Sequence, residues 1–329
     1  IAESPLDSEV LWAGADDGPI WVTQNGGRDW TRVDINIDGP SLGNPPHPPS
    51  RSAPIANLEG MLPLGNWPTP CVVGEIEPSR FAKHAAYITY DCHKLDDERP
   101  YLFKTTDAGK TWVSITGDLP AHGSSWVIRE DPAHPSVLYA GTEFGIFVTI
   151  DGGRHWMALK GNLPTVGTRS LAIQERDGDL VAATYGRSIW VTDISLFPEI
   201  ADGALDKPLH LFRSKPATLF KTRVTYGNTI EELNGDMFFR AENPPDGAVI
   251  TYYPHQDVAA LVAIEIQDAK GQVIRKLTGP GGTGIHRVVW DLKTDETSEL
   301  IRPRRGGPTP SEWEHARKVS PGRYGVKLT

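Results

Sequence analysis

The segment VLYAGTEFGIFVTIDGGRHWMAL, residues 137–159, predicts two short strands, a tight glycine-rich turn and a third strand that begins at Trp156. Similar segments recur at residues 10–33, 101–115 and 179–194. The repeat period, measured from Trp112 to Trp156, is 44 residues and suits a unit of four short strands, as in a propeller blade. We name the strands of each unit A to D in chain order.

The composition supports an all-β chain. Its 329 residues include 33 Gly, 28 Pro and 10 Trp, which favours short strands and many turns over long helices. The net charge of -9 disfavours binding to nucleic acid or to an anionic membrane. The sequence contains no run of 18 apolar residues, so we expect no membrane span. Its histidines show no metal-ligand spacing, and we expect no metal and no cofactor.

The turn between strands C and D carries a repeated motif, which reads TQNGGRDW at residues 23–30, TTDAGKTW at 105–112 and TIDGGRHW at 149–156. The third side chain can accept backbone N–H groups within the turn, and the glycine allows a positive φ. The tryptophan can then pack between neighbouring sheets. We interpret the following motif residues as structural: Asn25, Trp30, Asp107, Gly109, Trp112, Asp151, Gly153 and Trp156. Because Asn25 replaces the aspartate, the first turn is predicted to be looser.

The motif resembles the Asp-box of bacterial neuraminidase (BNR) repeats. Segments 77–112, 129–156 and 179–194 are similar to secreted bacterial BNR-repeat proteins, which are often labelled as glycosyl hydrolases or as sortilin-like. The resemblance implies propeller blades over nearly all of residues 8–195 and a secreted or periplasmic location, with any leader outside this sequence. It also implies that these blades form the last part of a longer propeller.

The domain prediction is propeller blades at residues 1–195, a linker at 196–207 and an Ig-like β-sandwich at 208–329. Repeat one begins at strand B and repeat four stops at strand C, which predicts two full and two partial blades. We therefore expect the remaining blades on another segment or chain. An insert at residues 34–70 holds nine prolines and predicts a long loop, either a lid over a binding face or a passive cover.

The last third of the chain predicts a sandwich. Segments 266–277, 284–292 and 321–328 resemble the Ig-like domain of flagellar-hook capping (FlgD-type) proteins. Trp290 and Tyr324 are predicted core residues. The glycine-rich residues 279–284 predict a hairpin turn, and residues 294–318 predict a polar loop between the last two strands.

Two cysteines flank a predicted hairpin. Cys71 begins strand A and Cys92 ends strand B of the second unit, so antiparallel pairing around a turn near residues 79–84 brings them opposite each other. The prediction is a disulfide, which is typical of an oxidising compartment. Two separate buried thiols are the alternative.

In a propeller the B–C and D–A loops share one face, and the polar residues that these loops carry predict a site there. The D–A loops place His122 and Arg169 on this face. The ligand-binding candidates are His93, Arg99, Glu143, Tyr185 and Arg187. Weak catalytic candidates are Asp96, Asp97 and Glu143, because two carboxylates can hydrolyse a glycoside. A solvated loop tip is the alternative interpretation of Asp96 and Asp97.

We favour a non-catalytic, extracytoplasmic binding or scaffold protein whose loop face takes carbohydrate or protein ligands. The alternative is a glycoside hydrolase of the sialidase- or xyloglucanase-like kind that acts on polysaccharide. A third interpretation is sortilin-like peptide binding.

Overall fold

The computed structural model describes residues 1–16, 18–33, 35, 71–219, 245–257, 261–297 and 316–329. These residues form two compact units, Ile1–Ala201 and Asp202–Thr329. Regular structure is almost entirely strand, with one short α-helix, α1 (Phe197–Ala201). The all-β prediction is confirmed. Asp17 and all of the proline-rich insert except Ile35 lie outside the described residues.

The first unit consists of four antiparallel sheets whose strands are adjacent in chain order. Blade 1 holds β1 (Ala2–Ser4), β2 (Asp7–Gly14), β3 (Ile20–Thr23) and β4 (Thr31–Arg32). Blade 2 holds β5 (Val72–Pro78), β6 (Ala86–Asp91), β7 (Tyr101–Thr105) and β8 (Val113–Ser114). Blade 3 holds β9 (Ser125–Glu130), β10 (Leu138–Thr142), β11 (Gly145–Thr149) and β12 (Met157–Ala158). Blade 4 holds β13 (Thr168–Gln174), β14 (Asp179–Thr184) and β15 (Ile189–Asp193). This meander of short strands is the propeller-blade topology that the repeats predict.

The first blade corrects one expectation. It was predicted to begin at strand B, but β1 pairs with β2, with Ala2 opposite Trp12, and acts as strand A. Three residues are too few for an alternating apolar pattern, so this strand has no sequence signature. Blade 4 has three strands, as predicted. After it, Phe197 of α1 packs edge-on against Tyr139, with ring centroids 6.0 Å apart.

Consecutive blades pack face to face around continuous apolar clusters. Blades 1 and 2 share one that includes Trp12, Ile20 and Phe103. Blades 2 and 3 share a second that contains Leu102, and blades 3 and 4 a third that contains Ile146. Each internal blade is therefore buried on both of its faces.

The strands of the second unit are β16 (Leu209–Leu211), β17 (Ala248–Pro254), β18 (Leu261–Gln267), β19 (Val273–Pro280), β20 (His286–Trp290), β21 (Lys293–Thr297), β22 (Ala316–Lys318) and β23 (Gly325–Leu328). They form two three-stranded sheets, β16-β17-β20 and β19-β18-β23, and the pair β21-β22. The core prediction holds for Trp290, which is buried and lies edge-on to Tyr324 at 5.2 Å.

Two loop predictions for this unit are wrong. Residues 279–284 do not close a hairpin, because β19 and β20 belong to different sheets. A glycine-rich turn permits a sharp change of direction, but the pairing of the flanking strands is a tertiary property. The predicted polar loop at 294–318 pairs its two ends as β21 and β22. Residues 298–315 lie outside the described part.

Candidate functional site

The loops of the first unit sort onto two ends of the blades, as hydrogen bonds between them show. At one end the B–C loops of blades 2 and 4 meet D–A loops: the Gly123 N–H donates to the Glu98 carbonyl at 2.8 Å, and the Tyr185 N–H donates to the Gly167 carbonyl at 2.7 Å. At the other end an A–B turn meets an Asp-box turn, where the Ala108 N–H donates to the His84 carbonyl at 2.8 Å. We call the first end the loop face.

The Asp-box turns are local hydrogen-bonded units on the opposite end. Asp151 Oδ1 accepts the Arg154 and His155 backbone N–H groups at 3.0 Å each, and the Gly153 N–H donates to Thr149 Oγ1 at 3.0 Å. Backbone φ is +95° at Gly153, as the motif requires. Burial opposes ionisation of Asp151, but these bonds and the His155 imidazole lower the pKa of Asp151 to about 2.

The first Asp-box is not looser, which corrects the prediction for Asn25. Asn25 Oδ1 accepts the Asp29 N–H at 3.0 Å, and the Gly27 N–H donates to Thr23 Oγ1 at 3.0 Å. An amide oxygen accepts backbone N–H groups as a carboxylate does, so the geometry survives the loss of charge.

The Asp-box tryptophans join neighbouring blades. Trp112 Nε1 donates to the Val33 carbonyl at 3.2 Å, and Trp156 Nε1 donates to the Ile115 carbonyl at 2.9 Å. In each case the acceptor belongs to the preceding blade. Trp30 of blade 1 is partly exposed.

The predicted disulfide is present in the structure. Cys71 and Cys92 are joined with an S–S distance of 2.05 Å and lie in the core between blades 1 and 2.

Among the predicted acids, Asp97 is already hydrogen-bonded to neighbouring side chains. Asp97 accepts two bonds from Arg99, at 2.8 Å from Nε and 2.6 Å from Nη2, and a third from the Tyr101 hydroxyl at 2.8 Å. The Arg99 bonds lower the pKa of Asp97 to about 2, against the effect of its burial. Such a group stays ionised at neutral pH and cannot donate a proton to a leaving group. The same pairing occupies Arg99.

The other two acids are less constrained. Asp96 is exposed and has a positive φ of 60°, which it adopts at the end of a short 3₁₀ turn. Glu143 is half-buried, and its backbone N–H donates to the Ser124 carbonyl at 3.0 Å. Neither position shows a geometry that sets up acid–base chemistry.

His93 belongs to a network that reaches the next blade. Its Nδ1 lies 2.7 Å from Oδ1 of the buried Asp91, and Trp126 Nε1 donates to Asp91 Oδ2 at 3.0 Å. Burial raises the pKa of Asp91, but the imidazole and backbone N–H of His93 more than offset it and leave that pKa below its ordinary value. Asp91 therefore fixes the orientation of the Trp126 ring.

Three side chains stack on the loop face. The Arg169 guanidinium carbon lies 3.5 Å from the centroid of the Trp126 ring and 5.7 Å from that of Tyr185. Tyr185 is 74% exposed, and Arg169 is exposed as well. Within the described ranges no carboxylate pairs with Arg169. Arg187, in the same loop as Tyr185, is also exposed.

Sequence reasoning found Tyr185 and His93 of this arrangement and placed Arg169 on the same face, at the end of a D–A loop, without making it a binding candidate. It missed Trp126 and Asp91, which lie on strands A and B at or next to the strand ends that border the loop face. A search confined to loops does not include these two residues.

Sequence reasoning also missed a group of charges on the strand A segments. Arg129 Nη1 lies 3.1 Å from Glu75 Oε1 and 3.4 Å from Glu77 Oε2. Burial is the main cause that raises the pKa of Glu77 to about 7, and the Glu75 charge adds to it while Arg129 opposes it. Nearby, the buried Glu130 accepts a hydrogen bond from the Tyr87 hydroxyl at 2.7 Å.

A small cavity of about 10 Å³ on the loop face of blades 2 and 3 is lined in part by His122 and Phe144. That is the space of roughly one water molecule. No helix in the described residues is long and apolar enough to cross a membrane.

The sequence matches no family model and no curated protein. Among solved structures, it is similar to YCF48 from Cyanidioschyzon merolae, at 15% identity over 58% of this chain and 51% of that chain, with a TM-score of 0.37. An ancestral GH74 enzyme is similar at 13% identity over 85% of this chain and 32% of that one, with a TM-score of 0.41. A GH74 xyloglucanase from Xanthomonas campestris gives 18% identity over 58% and 35%, with a TM-score of 0.32.

The chain thus spans about half, or less, of the length of the structures that it matches. Similarity at this level carries no argument about ligand or reaction.

Proposed function

We propose that this chain is a non-catalytic, extracytoplasmic binding protein whose loop face takes a carbohydrate or protein ligand that carries a carboxylate. The observation that carries the proposal is the Trp126–Arg169–Tyr185 stack, which holds an exposed guanidinium with no described carboxylate partner. The disulfide supports the extracytoplasmic location, because such bonds persist in oxidising compartments.

Stacking prepares Arg169 for a ligand. An aromatic ring attracts a guanidinium to its face and leaves the N–H groups, which lie in the guanidinium plane, pointing sideways. A planar carboxylate can accept two of them at once. Trp126 is itself held by Asp91, so little side-chain freedom is lost when a ligand binds.

The geometry disfavours hydrolysis by the acids that the loops predicted. Asp97 is paired with Arg99, which keeps its carboxylate ionised, and Asp96 is an exposed residue at the end of a 3₁₀ turn.

One observation favours glycoside hydrolysis as a second candidate. Glu77 has a pKa of about 7, which suits a general acid, and Glu75 approaches the same Arg129 nitrogen. A protonated Glu77 and an ionised Glu75 could act as acid and nucleophile. The readout is turnover of a polysaccharide panel, which Glu77→Gln should abolish if this second function is correct.

The binding proposal is tested with ligands in matched pairs, such as oligogalacturonide and its methyl ester, and peptides with a free or amidated C-terminus. The chain should bind the acid of a pair more tightly. Arg169→Ala should weaken binding of the acid roughly 10- to 100-fold, as expected for a lost charged hydrogen-bond pair. Arg154→Ala removes an exposed arginine at the Asp-box end and should change nothing.

Equal affinity for the acid and the ester would contradict the proposed ligand class. Equal losses in Arg169→Ala and Arg154→Ala would contradict the proposed site.

The second unit is proposed to be an Ig-like spacer or attachment module, on the basis of its two sheets and shared core.

A further inference from the structure

A lysine on strand C of blade 2 occupies a position at which the other blades have valine. Lys104 lies directly opposite Tyr87 of strand B. The same register position, directly before a threonine, is held by Val22 in blade 1, Val148 in blade 3 and Val191 in blade 4. Val22 and Val148 are each 2% exposed, so in blades 1 and 3 this position is buried. A charge at a position that the repeat fills with a buried apolar residue conflicts with packing, and such conflicts are expected at functional sites.

The ammonium of Lys104 has an aromatic neighbour and no acidic partner in the described part of the chain. Its Nζ lies 5.0 Å from the centroid of the Tyr87 ring. That ring is buried, and its hydroxyl donates to Glu130 at 2.7 Å, which fixes its orientation. Neither a hydrogen bond nor an ion pair engages the Lys104 ammonium among the described residues. A lysine held over a ring without a counter-ion can interact with an anion from outside the chain.

A groove of about 290 Å³ lies beside this ammonium. We call it the Lys104 groove, and its lining consists of Lys104, Thr106, Thr111, Val113 and Ile115. Blade 3 contacts its Ile115 wall, because Trp156 Nε1 donates to the Ile115 carbonyl at 2.9 Å. The groove therefore lies at the seam between blades 2 and 3, at the Asp-box end and away from the loop face. Its volume is close to the lower end of the range for small-molecule sites, about 300 Å³.

The lining favours a ligand with one negative charge and an apolar chain. Val113 is the strand D partner of Lys104, and together with Ile115 it gives the groove an aliphatic wall. On the other side, the Asp107 carboxylate accepts the Thr111 hydroxyl at 2.7 Å. The Thr111 N–H and hydroxyl lower the pKa of Asp107 to about 2, so this carboxylate is ionised at neutral pH. A ligand with two negative charges would meet one cation and one anion here, which favours a single charge.

We propose that the Lys104 groove binds a monocarboxylate with a short aliphatic chain. The carboxylate accepts a hydrogen bond from the Lys104 ammonium, and the chain lies along Val113 and Ile115. The charge-assisted bond orients the ligand, and burial of the chain adds affinity. This site is separate from the loop face and does not depend on the ligand proposed there.

Methyl NMR of the full 329-residue chain tests the proposal, with hexanoate as the probe. Hexanoate should shift the methyl signals of Val113 and Ile115. Hexanamide has a chain of the same length without the charge, and acetate has the charge without the chain. Each of these two compounds should bind at least about 10-fold more weakly than hexanoate, because one loses the charged hydrogen bond and the other the apolar contact.

Two variants of the lysine separate binding from folding. Lys104→Met keeps the length of the side chain without its charge and should weaken hexanoate binding at least about 10-fold. Lys104→Val introduces the residue of the other blades, so it should fold and should bind hexanoate as weakly as Lys104→Met. Thermal unfolding checks the fold of both variants. Lys160→Met is the matched control, because Lys160 is exposed in the D–A loop after blade 3, and it should bind hexanoate as the native chain does.

Arg169→Ala distinguishes the Lys104 groove from the carboxylate site proposed on the loop face, and it should leave hexanoate binding unchanged. Hexanoate binding that survives both Lys104 variants, that Arg169→Ala abolishes, or that hexanamide equals would overturn the proposal. A native chain whose Val113 and Ile115 methyl signals do not respond to hexanoate would overturn it as well.

Discussion

The Arg169 guanidinium stacks 3.5 Å from the ring of Trp126, although the two residues belong to different blades. The indole nitrogen of Trp126 in turn reaches Asp91 in a third blade. One chain of contacts thus runs across blades 2, 3 and 4 at the loop face. Its rigidity is what distinguishes Arg169 from the many exposed arginines of an ordinary surface.

Trp126→Phe should separate two roles of the indole, namely its hydrogen bond to Asp91 and its stacking on Arg169. The variant leaves one oxygen of the buried Asp91 without its donor, which should lower the free energy of unfolding by about 1–3 kcal/mol. A ring still lies beneath Arg169, so affinity for an acidic ligand should change less than with Arg169→Ala. Denaturant unfolding and the paired-ligand assay measure the two effects.

Trp190→Phe is the comparison for that variant. Trp190 Nε1 donates to the Arg187 carbonyl at 2.8 Å, a neutral acceptor, so its loss should cost less. Equal losses in the two variants would show that Asp91 does not depend on Trp126.

The stability of the chain should depend on pH through Glu77. Its folded-state pKa is raised to about 7, so between about pH 4.5 and 7 the folded state holds a proton that the unfolded state has lost. Stability from this group is therefore present at low pH and falls as pH rises through that window. Glu77→Gln mimics the protonated form and should be more stable than the native chain at pH 7, by at most about 3 kcal/mol.

Subtracting the two unfolding curves at each pH isolates this group, since the carboxylates of Asp97 and Asp151 titrate identically in both chains. Their lowered pKa values give stability that is lost as pH falls from about 4 toward 2. A difference that does not change between pH 4.5 and 7 would contradict the role assigned to Glu77.

The Asp-box residues should matter for stability and not for binding. Asp151→Ala removes the acceptor of two backbone N–H groups and should lower the free energy of unfolding by about 1–3 kcal/mol. Asn25→Asp should also lower stability, because Asn25 Nδ2 donates to Asp29 Oδ2 at 2.9 Å and a carboxylate in its place would lose this bond and repel Asp29. Thermal unfolding and ligand affinity are the readouts. If Asp151→Ala weakens ligand binding and leaves stability unchanged, the ligand binds at the Asp-box end and the proposed site on the loop face is wrong.

Breaking the Cys71–Cys92 bond should destabilise the first unit. Its sequence separation of 21 residues corresponds to a loss of about 3 kcal/mol in the chain-entropy model. Reductant should lower the unfolding midpoint of the native chain. The double variant Cys71→Ala with Cys92→Ala should have the unfolding midpoint of the reduced chain, and reductant should not change it. If reductant does not lower the midpoint of the native chain, the prediction is wrong.

What the sequence by itself determined is local in range. The Asp-box turns, the Gly153 conformation and the apolar alternation of strands B and C depend on side chains a few residues apart, so their pattern predicts blades. The opposite positions of Cys71 and Cys92 follow from hairpin register in the same way.

Only the tertiary structure decided the rest. β1 pairs with the strand next to it, but three residues are too few to show a period in the sequence. β19 and β20 are also neighbours along the chain, yet they belong to different sheets. The contacts of Asp91, Trp126, Arg169 and Tyr185 join segments that are distant along the chain. Their energies come from packing one blade or sheet on another, and that packing leaves no period in the sequence. The segment at residues 137–159 illustrates both cases. Its Asp151 turn can be predicted from the local sequence, whereas Ile146 is buried because blade 4 packs on it.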